Sequence, residues 1–370
     1  MKAIHNNQLS TRQMVLMMVL FMFGSSVVLG INPQNRQDSW ISLLTAAVMC
    51  IPVFLLYARI IHLMKGQDFF TSILDWFGTI VGKIIIGLFV WYCLHMAGIV
   101  TRNLSEFMEI AAMTETPQLP LMISILLVAT YLCKSRIQVI GRWSVIGFYI
   151  TSVIVVITIL ATVSHMNFYY LLPIMEHSPT EILDGAFKIS AFPYAECVVF
   201  LPLMSAVQNN NPYKTFLKGN FWSTVLLMII MLRNIFCIGP HLMVAEYFPS
   251  FTCAKIMEIG DFLSRIEGTI SINLVIAGLT KTAISLYSAN LGLAKLINIP
   301  NKLNLLTMPI FLFALTLCML SYTDALQMFG FLDFYAYYAF PFQIIIPIII
   351  WLMGEWKTRQ KHVNPAPTAA

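Results

Sequence analysis

Five ionisable side chains lie inside long apolar runs of this sequence, where charge is otherwise rare. They are Arg102, Glu106, Glu196, Arg233 and Lys281. A charge near the centre of a bilayer costs about 2.5–3.5 kcal/mol on insertion scales, so we expect each to face the protein interior or water. A buried carboxylate can take up a proton or face a cationic ligand group, and a buried ammonium can fill the volume of a bound cation. These residues are therefore the first candidates for chemistry.

Glu196 and Lys281 fall near the middle of their runs, and two interpretations of them stay open. Either they face a ligand or carry a proton, or they satisfy each other as a buried pair between two helices. Arg102 and Glu106 are four residues apart and can pair on one helix face. We interpret them as a structural or gating pair because they lie nearer the end of their run. Arg233 also lies toward an end, where its charge can reach the membrane surface.

The apolar runs that position these charges are predicted to be membrane helices. Of 370 residues, 58% are apolar and 11% charged, whereas soluble domains have about 45–50% and 25%. The mean hydropathy is +0.78. A membrane helix needs about 20 residues to cross roughly 30 Å of hydrocarbon, and the runs are too long for barrel strands. The sequence predicts ten spans, at 13–31, 40–62, 82–108, 119–134, 143–165, 188–208, 218–238, 268–291, 303–322 and 334–353.

The basic residues predict how these spans are oriented. With the N-terminus inside, fifteen Lys and Arg fall on the cytoplasmic side and four on the outer side, as cytoplasmic loops require. Both termini are therefore predicted to be cytoplasmic, with 354–370 as a tail. The net charge of +5 reflects this topology, so we expect the lipid bilayer as a partner and no nucleic acid.

Cysteine and histidine patterns predict neither metal binding nor catalysis. Six of the seven cysteines lie inside spans, and Cys253 lies in an outer loop without a partner in that loop. We interpret all seven as small apolar residues, and we expect no metal and no cofactor. The seven histidines are scattered, and neither a Walker loop nor a nucleophile elbow is present. The sequence does not indicate an enzyme.

The ten spans divide into two groups of five, which places the second group in the opposite orientation, as an inverted repeat requires. Span 1 contains Gly24, Ser25 and Ser26, and its counterpart span 6 contains Pro193 and Pro202. We predict that both spans are discontinuous, within one domain (1–370) made of repeats at about 12–165 and 186–353. The loops at 67–78 and 253–268 each predict a short amphipathic surface helix. The alternative is that Gly and Pro are simply common in membrane helices.

Discontinuous spans would expose free N–H and C=O groups, which suit the carboxylate and the ammonium of an amino acid. On span 3, Tyr92 and Met96 recur at helical spacing, either as a pocket wall or as plain packing. The predicted ligand-binding residues so far are Gly24, Ser25, Ser26, Tyr92, Met96, Phe192, Pro193, Tyr194 and Glu196, with Lys281 and Glu196 as the cation-site substitute or proton-linked pair.

Several of these motifs together resemble a known family. They are residues 9–13, 24–26, 101–102 with Glu106, 192–196, 262–267, and 281–282 with Tyr287. In this order they resemble the permease-like B subunits of bacterial endospore germinant receptors, a branch of the amino acid-polyamine-organocation superfamily with a LeuT-like five-plus-five fold. The resemblance covers nearly the whole chain.

The resemblance implies a sensor in the spore inner membrane that works with a larger membrane A subunit and a lipoprotein C subunit. The germinant would bind between spans 1, 3, 6 and 8. Residues 277–280 look like the stretch that supplies sodium ligands in sodium-coupled relatives, which adds Thr280 to the site. Lys281 stands where those relatives have a second hydroxyl, which favours a proton-linked or ion-independent site. An amino acid is the expected ligand, nucleosides and sugars stay open, and the alternative function is an amino acid transporter.

Overall fold

The computed structural model describes residues 8–24, 26, 30, 33–208, 211–255, 267–299 and 302–363. The regular secondary structure of this part of the chain is helical, apart from one bridge between Leu9 and Val207. Its α-helices are α1 (Thr11–Phe23), α2 (Ser39–Leu63), α3 (Phe69–Phe77), α4 (Thr79–Phe107), α5 (Gln118–Lys134), α6 (Ile137–Thr162), α7 (Pro179–Ile189), α8 (Pro212–Ala245), α9 (Pro249–Lys255), α10 (Glu267–Leu296), α11 (Leu303–Ser321), α12 (Ala325–Phe340) and α13 (Ile346–Val363).

Eight segments of the described chain are long and apolar enough to cross a membrane. They are Gln34–Leu63, Thr79–Ala111, Ile137–His165, Pro179–Ala206, Pro212–Ala245, Gly268–Leu296, Leu303–Ser321 and Ala325–Gln360. The other two predicted spans coincide with α1 and α5, which are apolar but have only 13 and 17 residues. The helical membrane architecture is confirmed, and eight of the ten predicted spans meet the length of a full crossing.

Helices α4 and α10 form the centre of the bundle. Their axes come close at Gly278, where an added Cβ would lie 2.3 Å from the side chain of Leu104. On another side of α4, a Cβ on Gly98 would lie 3.0 Å from Leu317 of α11. Small residues let membrane helices approach in this way, since packing rather than hydrophobicity holds them together in lipid.

The two ends of the bundle differ in charge. The basic end carries Arg12, Arg59 and Lys214 at the ends of α1, α2 and α8, and the acidic end carries Glu181 and Glu246 beside α7 and α8. The basic end is the one that the sequence predicts to be cytoplasmic.

At the basic end, α1 is fixed at its start. Ser10 and Gln13 form a reciprocal capping box, in which Gln13 N donates to Ser10 Oγ (3.1 Å) and Ser10 N to Gln13 Oε1 (2.9 Å). Just before the cap, Leu9 N donates to Ala206 O (2.8 Å), and Gln208 N donates to Leu9 O (2.9 Å). The start of α1 is thus tied to the end of the segment that carries Glu196.

The first predicted surface helix is present as α3, where Asp68 accepts from Thr71 N (2.9 Å) at the start and Gly78 follows the end. The second, predicted at 253–268, falls largely on residues 256–266, which lie outside the described residues. Of that region the structure describes α9, which ends at Lys255, and the start of α10 at Glu267.

Candidate functional site

Helix α1 ends in the interior of the bundle. The last helical residue is Phe23, and Gly24 has φ 13° and ψ −124°, outside the helical region. An added Cβ there would lie 2.7 Å from Phe21 O and 2.9 Å from Lys281 Cδ, so the position has no room for a side chain. Ser26 is fully buried and donates to Met22 O (3.0 Å). Ser25, also predicted for the site, lies outside the described residues.

The chain after α7 also leaves regular helical geometry. Residues Ser190–Tyr194 form a π-helical turn in which Phe192 is extended (φ −134°, ψ 111°), and the Phe192–Pro193 peptide bond is cis. Residues Ala195–Ala206 then continue as a 3-10 helix. Pro193 has no N–H to donate, which is why the irregularity falls here. The positions predicted to interrupt spans 1 and 6 are therefore both non-helical.

Glu196 and Lys281 meet between these two positions. Lys281 Nζ donates to Glu196 Oε2, and the two side chains are 0% and 2% exposed. The ammonium also lies 5.1 Å from the ring centroid of Phe21 and 4.7 Å from that of Phe192, as in cation–π contacts. Removing one member of such a pair leaves an uncompensated buried charge, which costs about 3–5 kcal/mol. The sequence left open whether the two residues pair, and the structure brings them together.

A chain of hydroxyl groups leads away from this carboxylate. Tyr335 OH donates to Glu196 Oε1 (2.7 Å), and the hydroxyls of Tyr92 and Tyr335 are 3.1 Å apart. Gln343 Nε2 donates to Tyr92 OH (2.8 Å). Since each hydroxyl has a single proton, Tyr92 must donate to Tyr335, and all the protons of the chain point toward Glu196. The arrangement stabilises the ionised carboxylate.

The same network reaches the backbone of the irregular segment. The second N–H of the Gln343 amide donates to Ala191 O (2.9 Å). Tyr57 OH lies within hydrogen-bonding distance of Ala195 O (3.0 Å) and Gln343 O (2.7 Å). Gln343 itself lies in a π-helical turn, Pro341–Ile345, between α12 and α13. Two irregular segments, before Glu196 and after α12, are therefore held together by side chains of the site.

Three of these residues, Tyr57, Tyr335 and Gln343, were not predicted from the sequence. Tyr335 is one of several aromatic residues in the run 334–342. Such a run is typical of helix packing or of an aromatic belt at the membrane interface. Gln343 carried a usable signal, since it is a lone amide in an apolar span two residues after Pro341. A buried amide needs partners, so it marks a polar neighbour.

Other predicted site residues have partners elsewhere. The OH of Tyr194 is 2.7 Å from Thr224 Oγ1 on α8. Thr280 Oγ1 donates to Ile276 O (2.7 Å) and accepts from Trp143 Nε1 (2.9 Å). Met96 lies closer to the pair, because its sulfur contacts Ser285 Oγ (3.6 Å) one turn along α10 from Lys281. Gly24 and Phe192 thus lie against Lys281 and Tyr92 is linked to Glu196 through Tyr335, whereas the hydroxyls of Tyr194 and Thr280 are engaged with other helices.

Arg102 and Glu106 form an ion pair on α4, with Nη2 and Oε2 3.1 Å apart and both side chains buried. Gln118, at the start of α5, bridges them: its Nε2 donates to Glu106 (2.6 Å), and its Oε1 accepts from Arg102. Arg102 also donates to Thr323 O (3.3 Å), just before α12. The pair therefore joins three elements at the acidic end of the bundle.

Cavities approach the Lys281–Glu196 pair from both ends of the bundle. At the acidic end, a cavity of about 260 Å³ is lined by Phe192 and by the charged residues Lys188, Glu246 and Asp333. The Phe192 ring also contacts Lys281, so this residue connects the cavity to the pair. At the basic end, a cavity of about 680 Å³ reaches the end of the 3-10 segment, at residues 201–207. Among the described residues, His, Cys, Asp and Glu form no group suited to a metal ion.

Solved structures share this fold. A structure described as MHP1, a nucleobase-cation-symport-1 family transporter in a closed conformation with bromovinylhydantoin bound, matches with a TM-score of 0.67 and 10% identity over 92% of this chain and 78% of that one. MhsT in complex with L-phenylalanine matches with a TM-score of 0.65 and 13% identity over 93% and 88%. At these identities the likeness shows the fold alone, and both neighbours have the LeuT fold.

Sequence comparisons show the family. Spore germination protein KB of Bacillus subtilis (strain 168) is 22% identical over 98% of both chains. Spore germination protein YndE of the same organism is 20% identical over 78% of this chain and 81% of its own. The family model Spore_permease, described as spore germination protein, matches residues 8–327. This chain is an integral membrane protein that belongs to the Spore_permease family of spore germination proteins.

Proposed function

We propose that this chain is the nutrient-sensing subunit of a spore germination receptor. A small molecule, with an amino acid as the first candidate, binds in a midplane pocket formed by α1, α4, residues 190–206 and α10. The observation that carries the proposal is the buried Lys281–Glu196 pair beside the non-helical Gly24 and Phe192. A zwitterion has the complementary charges, since its carboxylate matches Lys281 and its ammonium matches Glu196. Membership in a family of spore germination proteins supports the sensing role.

Pairing within the protein explains how binding becomes a signal. Without ligand the two charges satisfy each other, so a ligand that pairs with both must separate them. When Glu196 and Lys281 separate, the Glu196 carboxylate, which accepts from the Tyr335 hydroxyl, moves. This movement disturbs the hydrogen bonds from Tyr335 to Tyr92 and on to Gln343, which lies between α12 and α13. A ligand shifts such an equilibrium only by its difference in affinity for the two states. Ligand contacts that form only when the pair opens would supply that difference.

We also propose the membrane arrangement in which this pocket works. Helices α1 and α5 complete ten crossings, spans 1 and 6 are broken at Gly24 and Phe192, and residues 12–165 and 186–353 form two inverted repeats. The basic end faces the cytoplasm together with both termini, in the spore inner membrane. A membrane A subunit and a lipoprotein C subunit complete the receptor. The support comes from the charge asymmetry and from the shared fold of the structural neighbours.

The test is the nutrient response of spores that carry variants of the pair. Lys281→Met and Glu196→Gln remove one charge each, and Tyr337→Phe on α12 is the matched control because Tyr337 is 56% exposed. We expect both charge variants to lose the response, or to need at least tenfold more nutrient, at normal protein levels. The control should respond as wild type. Normal responses from both charge variants would exclude the pair as the sensing site.

A second candidate function is amino acid transport, proton-linked or ion-independent. Two observations favour it: a carboxylate lies between cavities from both ends, and one structural neighbour is itself described as a transporter. Uptake of radiolabelled amino acids into proteoliposomes of the isolated chain distinguishes the two functions. Sensing predicts binding without accumulation, and transport predicts time-dependent accumulation that Glu196→Gln abolishes.

A further inference from the structure

Two cysteines that are 16 residues apart in the sequence lie next to each other at the acidic end of the bundle. Cys237 lies on α8 and is partly exposed, whereas Cys253 lies on α9 and is buried. Cys237 Sγ is 3.9 Å from Cys253 O, so the side chain of one cysteine contacts the backbone of the other. The sequence predicts that Cys253 lies in an outer loop without a partner in that loop. In the structure its neighbour is Cys237, which lies on the preceding helix, α8.

The helices hold this pair in a fixed register. Three residues before each cysteine, Asn234 Nδ2 donates to Ser250 Oγ (2.9 Å), so two matching contacts join α8 and α9 one turn apart. The backbone of α8 bends two residues after Cys237, at Gly239 (φ 76°) and Pro240. The polar contact and the Cys237 contact hold the two cysteine-bearing turns next to each other, and this proximity is what a disulfide requires first.

The surroundings favour thiol chemistry. Arg233 is buried, and its guanidinium donates to the neutral acceptors Asn234 Oδ1 (2.7 Å) and Thr158 Oγ1 (3.0 Å). It also interacts electrostatically with both thiols. A guanidinium near a thiol favours the thiolate, which is the reactive form of cysteine, and Cys237 is the more exposed of the two and so the one placed to react first. This end is the one predicted to lie outside the cytoplasm, where disulfides persist.

We propose that Cys237 and Cys253 are an oxidisable dithiol that a hydroperoxide converts to a disulfide. The Cys237 thiolate attacks the peroxide, the O–O bond breaks, and the products are a Cys237 sulfenic acid and an alcohol or water. The Cys253 thiol then attacks the Cys237 sulfur, an S–S bond forms, and the hydroxyl leaves as water with the proton of the Cys253 thiol. Two thiols thus lose two electrons and two protons to one peroxide, which is reduced.

The disulfide would act on the cavity at the acidic end. Residues 244–247 form one wall of that cavity, opposite Phe192, and they lie in the loop that a 237–253 bond closes. Closing a loop restricts the conformations open to it. Oxidation therefore fixes this wall. If the proposed function holds, it also slows entry of ligand toward Lys281.

The experiment uses the full chain in lipid nanodiscs and needs no ligand. Protein treated with hydrogen peroxide is alkylated, digested without reductant and analysed by mass spectrometry. We expect a linked pair of peptides containing Cys237 and Cys253, lower in mass by about 2 Da for the two hydrogens lost and separated again by dithiothreitol. In Cys253→Ser a dimedone adduct on Cys237 replaces the link, and Cys133→Ala, which removes a cysteine on α5, leaves the link unchanged.

Two results would overturn the proposal. In the first, Cys237 and Cys253 are alkylated separately after a dose of oxidant that forms sulfenic acid on other cysteines. In the second, a disulfide joins either of them to a different cysteine. The effect on the wall is read by hydrogen exchange of residues 244–247, which we expect to slow by roughly tenfold after oxidation. Unchanged exchange in the linked protein would overturn the fixing of the wall. None of these measurements depends on germination, so a negative result for the disulfide can be distinguished from a negative result for the proposed function.

Discussion

At the scale of single residues, the proposed pocket depends on two buried charges that pair with each other. Glu196 and Lys281 could be picked out from the sequence, since each is a rare charge near the middle of an apolar span. Their contact could not, because 85 positions separate them and helix packing decides which faces meet. Tyr335 and Gln343 were missed because an aromatic-rich span hides which hydroxyl or amide faces a charge.

The first prediction concerns the stability of the pair. Lys281→Met leaves the Glu196 carboxylate buried without its cation, so we expect a loss of about 3–5 kcal/mol in the free energy of unfolding. The double variant Lys281→Met with Glu196→Met removes both charges and should recover most of that loss. Denaturation of the purified variants in one detergent measures both. Additive losses in the double variant would show that the two charges are not coupled.

A second prediction isolates the hydroxyl chain. Tyr335→Phe removes a hydrogen bond to an ionised carboxylate, and such bonds contribute about 1.5–3 kcal/mol. Tyr337→Phe, two residues further on α12, removes an exposed hydroxyl and should change the unfolding free energy by less than about 0.5 kcal/mol. Equal effects of the two substitutions, measured by the same denaturation, would contradict a special role for Tyr335.

At the scale of elements, the proposed pocket lies where two segments leave helical geometry. The Gly/Ser cluster in span 1 and Pro193 in span 6 predict breaks, and the non-helical angles at Gly24 and Phe192 fall at these positions. The sequence pattern did not indicate the π-helical turn at Pro341–Ile345, because a proline in a membrane helix does not reveal how the helix accommodates it. That turn matters, since it carries Gln343 to the irregular segment before Glu196.

A prediction at this scale concerns the end of α1. Gly24→Ala places a Cβ 2.7 Å from Phe21 O and 2.9 Å from Lys281 Cδ, so we expect a loss of about 1–3 kcal/mol in unfolding free energy and a weakened nutrient response. Gly87→Ala on α4 is the control, because an added Cβ there meets nothing within 4 Å. Thermal unfolding of both variants tests the claim, which fails if Gly24→Ala is as stable as the control.

At the scale of the whole molecule, composition alone indicated a helical membrane protein, and the distribution of basic residues predicts its orientation. Helix lengths were harder to predict, because hydropathy does not locate a break. Span 1, predicted at 13–31, is helical from Thr11 and leaves the helix at Gly24.

The orientation itself gives a fourth prediction. Fusions of green fluorescent protein to the C-terminus should fluoresce, and fusions of alkaline phosphatase at the same place should be inactive, since the tail is predicted to be cytoplasmic. A fusion of alkaline phosphatase after Lys255, at the acidic end, should be active. The reverse pattern would invert the assigned topology and place the cavity beside Phe192 on the cytoplasmic side.

The central proposal is that a small nutrient binds at the Lys281–Glu196 pair. The most direct test is calorimetric binding of L-amino acids, nucleosides and sugars, one at a time, to the purified chain in nanodiscs. We predict saturable binding of at least one amino acid by wild type and Tyr337→Phe, and a loss of at least tenfold in affinity, about 1.4 kcal/mol, in Lys281→Met and Glu196→Gln. Undiminished binding by both charge variants would contradict the central claim.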